Sequence, residues 1–266
     1  MKRAILLWMI AVTAAVAMTA SAMDIETLVA QAQAQRDANR AQIQDLTVTR
    51  QNTMNTPRGQ QQMTVVTMTM GDKMLTSTTM PVPPKPGVPE GLTSMTNITL
   101  FDGTDHWAIN SAGRQQLPAS ASRPTDGERT LDFIEGATLA GEELVDGVEC
   151  WVVIPNTALQ RTKFTKVWLA KHDLLLVRAE GDEKGHTMRL ENSDFRTVIG
   201  QYQLAYRTEL FRDNTPAGTM VVSDIKVNQG LTDADFTAEN IPLPAGPSLQ
   251  EMQQMMMQRG QQPQPK

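Results

Sequence analysis

Beyond residue 45 this chain is a succession of strand-like segments, and nearly all of their connections are too short to hold a helix. Strands joined in this way run antiparallel to their neighbours, because a parallel return needs a crossover of about a dozen residues or more. Thr47-Val48-Thr49 opens a run that reaches Met54. The next run alternates, with Val66, Met68 and Met70 on one side and Val65, Thr67 and Thr69 on the other. β-Branched side chains favour strand over helix here. Asp102-Gly103 and Asp146-Gly147 are hairpin signals, and Lys171-His172-Asp173 joins a further pair of strands. Residues 111–127 read as irregular, while 186–198, 201–212 and 219–228 read as long strands. The result is a meander of about ten or eleven strands, wide enough to curl.

One long helix precedes the strands. Over residues 24–44, Ile25, Leu28, Val29, Ala32 and Ile43 make an apolar stripe, Gln, Ala and Arg fill the rest, and Asp24 is the N-terminal cap. A short helix is expected over 128–134 and a last helical turn over 231–236, with Thr232 and Asp233 as cap candidates. The fold class is therefore mainly β (α+β). Its expected architecture is an incomplete antiparallel β-barrel with the N-terminal helix packed over or into its concave face.

Residues 1–22 combine Lys2 and Arg3, an apolar run from Ala4 to Ala17, and an Ala20-Ser21-Ala22 end. That is the layout of a secretory signal, and its apolar run is shorter than the roughly 20 residues that span a bilayer. The mature protein is expected to start near Met23 and to work in the periplasm, with no Cys after the apolar run to accept a lipid anchor. One domain is expected over residues 23–241, followed by a disordered tail, rich in Gln, Met and Pro, over 242–266. Five prolines between residues 81 and 91 predict a stiff, extended loop.

A net charge of −5 without a basic block leaves no electrostatic footprint for nucleic acid. Cys150 is the only cysteine, so no intramolecular disulfide forms, and its apolar surroundings read as those of a buried thiol. His106, His172 and His186, the only histidines, all lie near turns. The chain lacks a G-x-S-x-G, an H-E-x-x-H, a phosphate loop and a paired-cysteine pattern. No catalytic residue, cofactor or metal site is expected, and the protein is not expected to be an enzyme. Among the 17 methionines, Met54, Met63, Met68, Met70, Met74, Met80 and Met95 cluster in the first strands. They read as apolar filler or as pliable lining for a variable apolar ligand. Cu(I) ligation is the poorer reading, because the Met-rich tail holds no histidine.

An acyl chain is stabilised by about 0.8 kcal/mol for each methylene it removes from water, and its site needs apolar walls. Trp107 with Ile109, and Trp151 with Val153, each set an aromatic side chain two residues from an aliphatic one. Strict alternation sets Phe164, Lys166 and Trp168 on one face and Thr165, Val167 and Leu169 on the other. The cavity candidates are Trp107, Ile109, Trp151, Val153, Phe164, Trp168, Leu176, Met68 and Met70. An ordinary closed core is the competing account, and periodicity does not say which face is concave.

Three stretches carry a family likeness. They are Gly147-Val148-Glu149-Cys150-Trp151-Val152-Val153, the tryptophan hairpin Lys166-Val167-Trp168-Leu169 with Asp173-Leu174-Leu175-Leu176-Val177-Arg178, and the closing segments Asp194–Val198 and Val227–Phe236. Over residues 24–236 the chain resembles the LolA-like outer-membrane lipoprotein-sorting proteins. The resemblance implies an incomplete barrel whose hollow binds acyl chains, a chaperone-like carrier that moves lipids or lipoproteins across the periplasm. It also implies an inner-membrane donor and an outer-membrane acceptor as partners, and a lid-closing arginine, for which Arg50 is the corresponding position. The alternative on the same fold is an envelope-stress sensor or another interaction module that binds a membrane regulator.

Overall fold

The computed structural model describes residues 23–57, 59–82, 92–118, 131–157 and 164–246. The signal segment, the centre of the proline loop and the tail beyond residue 246 lie outside the described residues. Helix α1 spans Ile25–Gln42. The Asp24 carboxylate caps it by accepting the Thr27 N–H at 2.7 Å, and this bond holds the carboxyl below its ordinary range.

Six strands follow: β1 (Asp45–Thr56), β2 (Gly59–Met70), β3 (Lys73–Pro81), β4 (Ser94–Phe101), β5 (His106–Asn110) and β6 (Gly113–Leu117). The single turn of helix α2 (Leu131–Ile134) leads to β7 (Thr138–Val145), β8 (Val148–Ile154), β9 (Phe164–Ala170) and β10 (Leu176–Glu183). The chain closes with β11 (His186–Ile199), β12 (Tyr202–Arg212), β13 (Thr215–Val227) and a 3-10 turn at Asp233–Phe236.

The thirteen strands of the described residues form one antiparallel sheet in the order β6-β5-β4-β3-β2-β1-β13-β12-β11-β10-β9-β8-β7. Each arm is a meander, and the two arms meet where β1 pairs with β13, from Leu46 opposite Val227 to Met54 opposite Gly218. Strands β6 and β7 are the two edges, so the sheet is an incomplete barrel. The strand count exceeds the sequence expectation of about ten or eleven. Strand β6 lay within the stretch read as irregular: Gly113-Arg114-Gln115-Gln116-Leu117 has no apolar alternation, and its pairing with β5 alone makes it a strand.

Residues directly opposite one another in an antiparallel pair project from the same face. On one face, α1 presses Leu28 and Ala32, together with Phe133 and Ile134 of α2, onto Val153, Val167, Leu169 and Ala179. Ile43, at the helix end, packs against a second cluster of Leu46, Val48, Leu204 and Val222. This is the helix face. On the opposite face, residues 231–241 lay Phe236, Ala238 and Ile241 over Leu75, Ile98, Leu100 and Ile109.

Helix α1 lies along one rim of the sheet. The Gln35 side chain donates to the Asp173 carbonyl in the β9–β10 turn at 2.8 Å, and Arg40 meets Asp72 in the β2–β3 turn at 2.8 Å. The Asn228 amide donates to the Gln42 carbonyl at 2.9 Å, tying the helix end to the end of β13. The other ends of the strands are beyond the helix, and the helix face continues toward them.

Candidate functional site

The tryptophan hairpin does not obey strict alternation. Strand β9 pairs with β10 through Leu169–Leu176, Trp168–Arg178, Val167–Ala179, Lys166–Glu180 and Phe164–Gly181, which leaves Thr165 and Val177 without a cross-strand partner. Each is a bulge, and a bulge shifts the residues beyond it to the other face. Phe164 therefore joins Val167 and Leu169 on the helix face, where its ring meets Phe133 edge-on at 6.0 Å. This corrects the expectation that Phe164 and Trp168 share a side.

An apolar row crosses the helix face at right angles to the strands. Leu139 pairs with Val153, Val153 with Val167, and Val167 with Ala179. Ala179 pairs with Leu190, Leu190 with Leu210, Leu210 with Gly218, and Gly218 with Met54. Only apolar residues occupy this row from β7 round to β1. Its first part lies in the cluster beneath α1 and α2. Its last part does not: Leu210 and Met54 are half-buried and belong to none of the packed clusters of described residues. Gly218 allows the row to lie close, since a Cβ there would stand 2.6 Å from the Met54 sulfur and 2.8 Å from the Thr53 carbonyl oxygen.

The neighbouring row mixes apolar and polar groups: Asn192, Thr208, Met220, Asn52 and Met63. The Thr208 hydroxyl donates to the Asn192 amide oxygen at 2.6 Å, and the Asn192 amide nitrogen donates to the Leu176 carbonyl at 2.9 Å. Met54, Met63 and Met220 thus stand together, thioether chains that accommodate apolar surfaces of differing shape.

No family profile matches this sequence, and no curated protein matches it. Solved structures do. One, described as an outer-membrane lipoprotein-sorting protein domain from Vibrio parahaemolyticus, matches with a TM-score of 0.56 at 17% identity, over 81% of this chain and 97% of that one. A DUF1329 family protein from Desulfovibrio piger matches with a TM-score of 0.56 at 16% identity, over 81% of this chain and 98% of its own. A LolA superfamily protein from Nitrosomonas europaea gives a TM-score of 0.56 at 16% identity, over 83% and 100%. The fold is LolA-like.

At these identities the likeness is one of backbone path, so what the helix face of this LolA-like chain can hold depends on its own side chains. Among the cavity candidates read from the sequence, Trp151, Val153, Phe164 and Leu176 lie on that face, in or against the cluster under α1. Trp107, Ile109, Met68 and Met70 lie on the opposite face and pack with Phe236, Ala238 and Ile241. The Trp107 indole N–H donates to Asp102 at 3.0 Å. Burial works to raise the Asp102 carboxyl, but this bond and the N–H groups of Asp105 and Thr104 outweigh it and hold the carboxyl below its ordinary range.

Trp168 also faces away from the helix, among Cys150, Val152, Ala170 and Val177. Its indole N–H donates to Glu143 at 2.7 Å, and the Lys166 ammonium lies 4.4 Å from the ring centre. Burial pushes the Cys150 thiol up to about 11. Arg50 is on the helix face, half-buried, between Val222 of β13 and Val65 of β2.

Sequence reading missed Leu190, Leu210, Gly218 and Met220. They come from or adjoin segments read as long strands, but only the β1–β13 pairing joins their row to Met54. Among the described residues, no group of three or more His, Cys, Asp or Glu side chains is placed to hold a metal ion, and no helix is long and apolar enough to cross a membrane.

Proposed function

We propose that this protein is an exported carrier that sequesters acyl chains of lipids or lipoproteins on its helix face, by reversible burial and with no covalent step. The observation that supports it is the apolar row that outlasts its cover. Under α1 the row is closed core, while Leu210 and Met54, on either side of the buried Gly218, and Met63 and Met220 beside them are half-buried apolar side chains outside the packed clusters. Each methylene laid there would be stabilised by about 0.8 kcal/mol, so a chain of twelve or more carbons has ample driving force. Arg50, on the same face, is the candidate for holding the site closed. The donor and acceptor membrane proteins implied by outer-membrane sorting remain part of this proposal, as does a functional unit spanning residues 23–241.

Organic extraction of the purified protein followed by mass spectrometry is expected to release acyl lipids. The emptied protein is expected to bind 1-N-phenylnaphthylamine and to give it up to added lipid. Repeated preparations with neither property would remove the carrier reading.

A protein-binding module on the same fold is the second reading. Leu144 favours it, being 70% exposed on the edge strand β7. Cross-linking from position 144 to a membrane protein, retained when lipid binding is abolished, would support it over the carrier.

A further inference from the structure

The mixed row on the helix face contains one group that the protein leaves unanswered. Asn192 and Thr208 satisfy each other, but the amide oxygen of Asn52 is buried and accepts no hydrogen bond from any described residue. It sits between Met220 and Met63 in its own row and two residues along β1 from Met54. A buried amide oxygen without a donor is costly, and a native protein that keeps one requires an explanation.

Position supplies the explanation. Rows two residues apart on a strand are separated by about 7 Å. A hydrocarbon chain lying on Leu210 and Met54 would run in the row next to Asn52, one such spacing away. We propose that the Asn52 amide oxygen receives the head of the bound chain, and that it selects acyl chains whose first polar group donates a hydrogen bond, an amide N–H or a hydroxyl. An ester has only acceptors and would leave the Asn52 oxygen unpaired and facing another oxygen. This inference rests on the carrier reading and adds to it the chemistry of the ligand's head.

The test is displacement of 1-N-phenylnaphthylamine by dodecanamide, dodecan-1-ol and methyl dodecanoate, three ligands of equal chain length, from the wild-type protein and from Asn52→Leu and Asn52→Asp. Circular dichroism and thermal unfolding establish that each variant is folded. In the wild type, the amide, the alcohol or both should displace the probe about tenfold better than the methyl ester, the scale of one buried hydrogen bond. The separate amide and alcohol arms show which donor is preferred. Asn52→Leu should abolish the preference by improving the ester and weakening the donors, and Asn52→Asp, which keeps an acceptor, should retain it. Equal displacement by all three ligands in the wild type, or a preference that survives in Asn52→Leu, overturns the role of Asn52 while leaving the carrier intact. Failure of the wild type to bind the probe or any of the three overturns both.

Discussion

The Asp45 carboxylate at the start of β1 accepts the backbone N–H of Gly230, 185 residues later, at 2.8 Å. The same carboxylate accepts the N–H groups of Gln229 at 2.8 Å and Leu231 at 3.2 Å. Asp45 is 3% exposed, so these donors replace water around a buried charge. They aim residues 231–241 over the face opposite the helix, where Lys73 pairs with Asp233 and Arg114 donates to the carbonyls of Ala238 and Ile241.

Asp45→Asn turns one acceptor oxygen into a donor that points at other donors. The expected cost is about 1–3 kcal/mol, the penalty for buried hydrogen-bonding groups left unmet. Urea unfolding measures it, and hydrogen exchange should show faster loss of protection over residues 231–241 than in β11 and β12. Uniform loss across the sheet would argue that Asp45 is not what anchors that segment.

Gly218→Ala should disturb both stability and ligand binding. The added methyl meets a flexible sulfur and also the fixed Thr53 carbonyl oxygen, so the backbone pairing of β1 and β13 must give way. About 1–3 kcal/mol of destabilisation is expected for such overpacking, together with weaker uptake of the naphthylamine probe. Adding Met54→Ala removes one contact and leaves the carbonyl, so it should recover only part of the stability. Full recovery would show that the backbone contact is harmless.

The Cys150 thiol, pushed up to about 11 by burial, should be almost wholly protonated at pH 8. Ellman's reagent is expected to leave the native protein unlabelled and to titrate one thiol in guanidinium. Rapid labelling of the native state would mean that the Trp168 cluster opens readily.

Glu143 supplies a prediction on pH. Hydrogen bonds from Lys166 and then from the Trp168 indole hold its carboxyl below the ordinary 4.5. A carboxyl depressed in the folded state stabilises the fold above its unfolded value and loses that contribution as pH falls through the folded one. The contribution should therefore be complete above about pH 5, begin to fall near the ordinary value and be gone only below the depressed value of the folded state. Lys166→Met should return the Glu143 titration, followed by carboxyl NMR, toward 4.5. Because both residues face away from α1, acyl binding should not change. A Glu143 titration indifferent to the substitution would show that Lys166 does not govern it.

Much of the fold was legible in the sequence because it follows from local chemistry. Period-two alternation marks β2, Asp146-Gly147 takes the turn that Gly at φ 84° allows, and Asp24 caps α1 through a contact three residues away. Such signals reach only as far as neighbours along the chain. They say which residues share a side within one uninterrupted strand, so Met68 and Met70 were rightly grouped together, and so were Trp151 and Val153.

Only the tertiary structure decided which side each group faces and what covers it. The bulges at Thr165 and Val177 carry Phe164 across to the helix face and leave Trp168 behind, a change set by the pairing of β9 with β10. Residues 231–241 return to β3, β4 and β5, bury Ile109 and pack with the partly buried Trp107, Met68 and Met70. The pairing of β1 with β13 lays Met54 against Gly218 and completes the apolar row. Alternation gives every strand two faces of equal standing. The choice between them is made by pairing and packing between separate elements, from the neighbouring strands β9 and β10 to β1 and β13 at opposite ends of the chain, whose free energy no pattern within one strand contains.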